Sequence, residues 1–298
     1  MLSVLIPTYN YNAFPLVKEI HEQCEKAEIN YEIIVLDDGS TEENSLEENR
    51  KINLLSKSLF EENKCNIGRA GIRNLLAKKA RFEWLLFMDS DTFPKNKNFI
   101  TNYIVNITRN NYYVHFGGIC YKNEPPEQTQ LLRWKYGKKR EEISFKIRLK
   151  NPYNTALISN IIIHKSILNS IPFDQRIIEY GYEDLVFIKQ LKAKNITINQ
   201  INNPTYHLNY ETSKVFLNKT KKALDTLKYI DEHKILNSLE SKIQKAYRLI
   251  SLLKLNRTIS FLFISFQTKA EKNLLSSNPH LLVFDLYKLG YFCYIKNK

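Results

Sequence analysis

A chain of 298 residues, 43% apolar and 25% charged, has the balance of an ordinary globule, with mass for one large domain or a domain and an appendage. Its four cysteines, Cys24, Cys65, Cys120 and Cys293, lie far apart without a Cys-x-x-Cys, which argues against a disulfide framework or zinc site and fits a reducing compartment. The net charge of +13 is uneven, because residues 214–298 hold 16 basic and 6 acidic side chains.

Such a basic C-terminal third can meet nucleic acid, anionic lipid, a polyanionic acceptor or only solvent. Its aromatics cluster with Leu and Ile rather than alternating with Arg, which argues against nucleic acid. No window approaches the ~20 apolar residues of a spanning helix. The N-terminal apolar run, stopped by Pro7 and lacking a charged leader, does not read as a signal peptide.

Residues 2–6 read as a buried strand ending at Pro7, followed by the polar loop Thr8-Tyr9-Asn10-Tyr11-Asn12. A helix over 14–27 puts Leu16, Val17, Ile20 and Cys24 on one face. A second strand over 31–36 ends in Asp37-Asp38-Gly39-Ser40-Thr41, with Ser40 or Thr41 placed to cap the next helix. A short strand over 57–60 follows, then a helix opening just after Gly68. Arg69 and Arg73 share a face of that helix, a spacing suited to gripping a diphosphate or to an exposed basic surface. Strand alternating with helix predicts an α/β fold with a mostly parallel, doubly wound sheet.

The run Trp84–Met88 is wholly apolar and stops at Asp89-Ser90-Asp91. Without alternation it reads as a strand buried on both faces. The carboxyl end of such a strand is where open α/β sheets bind ligands. Two carboxylates so close repel unless a cation sits between them, and hard cations prefer oxygen donors. A plain turn capping the next helix is the competing account.

Beyond it, a helix is expected over 98–108 and a strand over 112–121, with Gly117-Gly118 allowing close backbone approach. Residues 122–154 break the pattern: Pro125-Pro126, then a Lys- and Arg-rich stretch that reads as a mobile, partly helical insertion over the site. A strand over 155–164 carries Asn160, and Glu183-Asp184 lead into a helix over 185–193. A short strand over 196–201 precedes His207, and the chain is helical from 212 to about 255. Two apolar, aromatic runs, 259–266 and 281–295, close it.

Five stretches, taken in order, resemble the motifs of family 2 glycosyltransferases. They are Ser3-Val-Leu-Ile-Pro-Thr-Tyr-Asn10, Val35-Leu-Asp-Asp-Gly-Ser40, residues 66–74, Phe87-Met-Asp-Ser-Asp91 and Gly181-Tyr-Glu-Asp184. The resemblance covers roughly residues 1–210 and implies a GT-A catalytic domain there, with a nucleotide-binding half over 1–121 and an acceptor half over 122–210. Residues 211–298 stand outside it as a basic, aromatic, mainly helical region.

What the resemblance implies is an inverting hexosyl- or N-acetylhexosaminyl-transferase. It would move a sugar from a nucleotide-sugar, UDP by family habit, to a glycan or lipid-linked acceptor in polysaccharide synthesis. Pro7, Thr8 and Tyr9 would lie at the nucleotide, with Tyr9 stacking on uracil, and Asp38 would accept the N3–H of the base with Asp37 nearby. Arg69 and Arg73 would serve base and phosphates, Asp89 and Ser90 the nucleotide, and Asp89 also the hydration shell of the metal. Asp91 would ligate that metal and His207 complete its site, a nitrogen donor favouring Mn2+ over Mg2+. Asp184 would deprotonate the acceptor hydroxyl beside Glu183, which also faces the sugars, while Asn160 would bond the donor sugar or serve as a satisfied core amide.

The Trp- and Arg-rich acceptor signatures of processive synthases are missing between Asp91 and Asn160, which implies addition of one sugar or a few. A catalytically silent sugar-nucleotide binder or scaffold is the competing reading, and the intact Asp89, Asp91, Asp184 and His207 weigh against it. The expected setting is cytoplasmic. The aromatic tail would lie on the anionic inner leaflet, finish a core or form a homodimer.

Overall fold

Apolar runs that do not alternate in sequence become strands covered on both faces. The computed structural model describes residues 1–236 and 241–298. It begins β1 (Leu2–Thr8), α1 (Phe14–Lys26), β2 (Tyr31–Asp37), α2 (Glu43–Arg50), β3 (Ser58–Glu62), α3 (Gly68–Lys79) and β4 (Trp84–Met88). Next come β5 (Thr92–Pro94), α4 (Phe99–Arg109), β6 (Val114–Phe116), β7 (Ile119–Cys120), α5 (Leu131–Tyr136), α6 (Phe145–Lys150) and α7 (Pro152–Thr155). β8 (Asn160–His164), α8 (Lys165–Ser170), α9 (Glu183–Ala193), β9 (Asn199–Gln200) and β10 (Thr205–His207) follow, then α10 (Ser213–Glu232), α11 (Lys242–Leu252), α12 (Asn256–Leu274) and α13 (Leu281–Lys296).

Two compact units emerge: Met1–Tyr121, Glu141–Ile178 and Glu183–Asn209 form one, and Lys122–Arg140, Glu179–Tyr182 and Tyr210–Lys298 the other. Segments 122–140 and 179–182 therefore belong with the helical unit, although they fall inside the first 210 residues.

In the first unit a seven-stranded sheet runs β3-β2-β1-β4-β8-β6-β9, and β5-β10-β7 form a smaller sheet. β1 to β4 are parallel, and β8 runs antiparallel to β4. Side chains alternate between two cores. Leu85 and Phe87 join Leu5, Ile34 and Leu36 on one face, while Leu86 and Met88 join Val4, Ile6, Ile33 and Val35 on the other. Each such burial stabilises the fold by about 1.5–3 kcal/mol.

Several boundaries differ from expectation for local reasons. β1 runs on through Pro7, because its pairing with β4 has ended at Leu5 and only β2 remains beside it, a one-sided position that tolerates proline. The strand expected over 112–121 splits at Gly117-Gly118 into β6 and β7, which enter different sheets. The strand expected over 155–164 starts only at Asn160, after the short helix α7. Of the insertion expected to be mobile, α6 is pinned by Arg148. Its buried guanidinium donates to Gln200 Oε1 (2.8 Å) and to the carbonyls of Ile201 (2.9 Å), Gly117 (3.1 Å) and Phe116 (3.3 Å).

The helical unit has its own cores, one around Leu132, Phe216, Phe263, Phe284 and Tyr287 and one around Leu224, Leu227, Phe292 and Ile295. Thr212 caps α10 through Val215 N, and Ser241 with Gln244 forms a reciprocal capping box on α11. α12 and α13 close tightly, since a Cβ at Gly290 would come within 2.9 Å of the Phe263 side chain. The aromatic run over 281–295 is therefore mostly core, with Phe284, Tyr287, Phe292 and Cys293 buried. Among the described residues no single helix is long and apolar enough to cross a membrane. The pair α11 and α12 reaches that composition together but is bent by 117°.

Candidate active site

The functional side chains arrive from several elements. After β4, Asp89 O accepts from Thr92 N (3.0 Å) and Thr92 Oγ1 (2.8 Å), a tight turn with half-buried Ser90 and Asp91 at its tip. The chain re-enters as β5, which pairs antiparallel with β10 so that His207 stands opposite Thr92. Register thereby sets the His207 imidazole beside the Asp91 carboxylate, Nε2 to Oδ2 3.5 Å, and Tyr121 stacks on the imidazole with centroids 5.5 Å apart.

Two donors held by one ion through bonds of ~2.1 Å stand about 3–3.5 Å apart, so this oxygen and nitrogen pair fits a divalent cation. Among the described residues no group of three His, Cys, Asp or Glu side chains is arranged for a metal. Asp89, expected to join Asp91 and His207, turns instead to Arg73.

Arg73 is the centre of the second half of the site. It is 1% exposed. Its Nη1 donates to Asp184 Oδ1 (2.6 Å) and Glu183 Oε1 (3.2 Å), and its Nη2 to Asp89 Oδ1 (3.1 Å). The Phe173 ring lies 5.7 Å from the guanidinium. Arg69, one turn earlier, is half exposed and reaches Glu183 Oε1 at 3.4 Å. The expectation that Arg73 grips phosphate is corrected here. The two arginines share a helix face, but Arg73 lies a turn deeper, and three carboxylates already occupy its fork. Only Arg69 reaches the surface.

Glu183 and Asp184 form the first turn of α9, where the helix dipole favours anions. Burial pushes the Asp184 carboxyl up to about 6; Arg73 opposes this, and Glu183 and Asp89 add to it. Burial also acts to raise Glu183 and Asp89, but the two arginines outweigh it and hold both below the usual carboxylate range. The cluster thus separates one carboxyl that takes a proton near neutrality from two that do not. Asp184 Oδ2 further accepts from Ile158 N at 3.4 Å.

The loop after β1 brings Tyr11 near Asp91, and the loop after β2 packs on the start of α3. Pro7 and buried Thr8 end β1; Thr8 Oγ1 donates to Tyr11 O (3.0 Å), and Tyr9 leaves half of its surface exposed. Buried Asp38 accepts from Ile67 N at 2.8 Å, tying the end of β2 to the start of α3. Burial raises its carboxyl, against the pull of the Ile67 and Gly68 amides. Gly39, at φ +76, presses on the backbone of Cys65 and Asn66, where a Cβ would come within 2.8 Å. Asp37 is spent on the turn, accepting from Ser40 N (2.7 Å) and Ser40 Oγ. Neither Ser40 nor Thr41 caps α2. Asn10 Oδ1, from the other loop, accepts from Thr41 N (2.8 Å) and Glu42 N (3.2 Å).

Asn160 is the satisfied core amide and not a sugar ligand. Fully buried, it accepts from Tyr103 OH (2.7 Å) and donates to Gly118 O (2.7 Å) and Asn203 O (2.9 Å). Two tyrosines escaped the sequence reading. Tyr121 orients His207 by stacking, and the Tyr11 phenol is raised by burial and by nearby Asp91. An aromatic residue inside a polar loop was the only signal for Tyr11, and Tyr121 gave none.

A sheet of this order, with carboxylates gathered where its strands end, defines the class: the fold is that of the GT-A glycosyltransferases. Mannosyl-3-phosphoglycerate synthase from Rubrobacter xylanophilus has a TM-score of 0.54 at 15% identity, over 80% of this chain and 77% of that one. A mannosyltransferase from Pyrobaculum calidifontis, solved with GDP-Man and Mn2+, has a TM-score of 0.53 at 12% identity, over 76% and 63% of the two chains. Residues 3–169 match the model of glycosyl transferase family 2, and the chain belongs to that family. An uncharacterized glycosyltransferase of Haemophilus influenzae is 27% identical over 249 residues, 78% of this chain and 76% of the relative. The chain spans less than half the length of the other curated relatives it matches.

Proposed function

We propose that this glycosyltransferase moves a sugar, with inversion, from a UDP-sugar to a hydroxyl of a glycan or lipid-linked acceptor on the cytoplasmic side. The observation that carries the reading is Asp184: a partly exposed carboxyl at a helix N-terminus, raised to about 6 while its neighbours stay ionised. Such a group is a competent base at neutral pH. In the displacement, the acceptor O–H gives its proton to Asp184 as its oxygen attacks the anomeric carbon. The bond to the diphosphate breaks on the opposite face, and its electron pair leaves with the nucleotide.

Asp91 and His207 would hold a divalent cation, which supplies charge neutralisation to the departing diphosphate. Their mixed donor set favours Mn2+ over Mg2+. Arg69, at the rim, is the cation placed to meet phosphate oxygens, while Tyr9 and Asp38 suit a stacked uracil with its N3–H.

The test is a panel of UDP-, GDP- and dTDP-sugars assayed for metal-dependent turnover and for thermal stabilisation of the chain. A UDP-sugar is expected to be turned over, and Asp184→Asn to lose roughly 10²–10⁴-fold in rate while UDP still raises Tm. UDP binding without turnover of any donor would make the chain a silent relative. Preference for another nucleotide would overturn the uracil assignment.

A further inference from the structure

Between residues 242 and 270 the chain carries Lys242, Lys245, Arg248, Lys254, Arg257 and Lys269 and no acidic residue. α11 ends at Leu252, the chain turns through Leu253-Lys254-Leu255 with Lys254 at φ 57, and α12 departs at a bend of 117°. α12 puts Ser260, Phe263 and Leu274 into the core of its unit. Its other side is mixed, with Arg257, Thr258, Ser265, Thr268, Lys269 and Lys272 exposed beside large apolar groups. Phe261 is 68% exposed, Ile264 57% and Phe266 52%, and at the turn Leu252 and Leu253 are 73% and 60% exposed. A surface helix ordinarily shows few large apolar groups to water on that side, and exposed Phe, Leu and Ile among basic residues suit an interface.

We infer that the α11–α12 turn and the outward side of α12 seat on an anionic lipid surface. Charge selects the occupant. A second copy docked through the same face would bring Lys254, Arg257 and Lys269 against their own copies, with no acidic residue between 242 and 270 to pair them. Anionic headgroups match that charge. The Phe, Leu and Ile side chains enter the headgroup–acyl boundary, ~5–10 Å deep, while the flexible Lys and Arg stems reach back to the phosphates. The sharp bend suits a wedge lying in the interface rather than a straight crossing. Residues 281–295 are less suited to this role, since Phe284, Tyr287 and Phe292 are buried in the helical unit, although Leu282 and Leu286 are exposed. The inference stands independently of the transfer chemistry.

Flotation of the intact chain with phosphatidylcholine vesicles, with or without phosphatidylglycerol, tests it. The chain is expected to float with the anionic vesicles only, and to be released by high salt, where the Debye length falls to ~3 Å. Replacing Lys254, Arg257 and Lys269 together by Gln is expected to weaken binding about a hundredfold. Phe261→Ser with Ile264→Ser is expected to weaken it at least about tenfold with Tm unchanged, because both side chains are already exposed. Absence of the intact chain from anionic vesicles at low salt would overturn the proposal. So would retention through both salt and alkaline carbonate, which would mean an embedded span. Loss of a dimer in the Ser variant, with lipid binding unchanged, would assign the face to a second copy.

Discussion

Asp184 is poised by opposition, and the pH dependence follows from it. A base with its carboxyl near 6 should give kcat/KM an acid limb with an apparent midpoint close to that value, read from a pH–rate profile. Arg73→Lys tests the positioning role of the guanidinium. A single ammonium cannot serve three carboxylates in a planar fork, so the acid limb should move to higher pH and the rate should fall. An unmoved limb would leave Arg73 a merely structural cation. Stability runs the other way from activity. A carboxyl raised above its unfolded value stabilises the fold while protonated, and that contribution is lost as pH rises through about 6. Asp184→Asn should therefore raise Tm above pH 7, by about 2–4 °C per kcal/mol relieved, and the gain should vanish toward pH 4. Arg73 keeps Glu183 and Asp89 in that variant, so no buried cation is orphaned.

Elements explain which of these features the sequence could disclose. β4 was legible because an apolar run ending in two aspartates has few other fates in an α/β fold, and the two-sided core around it confirms that reading. The pairing of Asp91 with His207 was legible only through family resemblance, since it depends on the β5–β10 register between segments more than a hundred residues apart. The carboxylate fork on Arg73 was not legible at all. Spacing shows that two arginines share a face, but not which of them lies beneath α9. The Lys- and Arg-rich insertion misled for a similar reason: its Arg148 is a buried plug on backbone carbonyls, which composition cannot separate from a solvated charge. Arg148→Met should lower stability by about 3 kcal/mol or more, seen as a fall in Tm, because several buried acceptors lose their partner at once. A cation held by Asp91 and His207 would tie the turn after β4 to β10. Mn2+ should therefore slow amide exchange in β5 and β10 even without donor, and excess chelator should reverse this and abolish transfer.

At the scale of the whole chain, charge and hydrophobicity are divided as unevenly as the folding units. Residues 214–298 hold 16 of the basic side chains against 6 acidic ones, and the apolar surface of α12 lies among them. If that face holds the enzyme on a membrane, the benefit depends on where the acceptor is. Anionic vesicles should raise kcat/KM toward a lipid-borne acceptor, through confinement to one surface, and leave a water-soluble analogue unaffected. Equal stimulation of both acceptors would point to a direct effect on the catalytic unit instead.

The contact between Gly39 and the backbone of Cys65 has a practical use. Of the four thiols only that of Cys65 is exposed; Cys24, Cys120 and Cys293 are buried, with Cys24 pushed up to about 12 and Cys293 to about 11. A maleimide dye added to the native chain should therefore attach at this single position, since the thiolate is the reacting species. The label would sit on the loop that presses against the Asp38–Gly39 turn. If the nucleotide binds at that turn as proposed, the emission should change on adding UDP, a readout that needs no engineered cysteine and no knowledge of the acceptor.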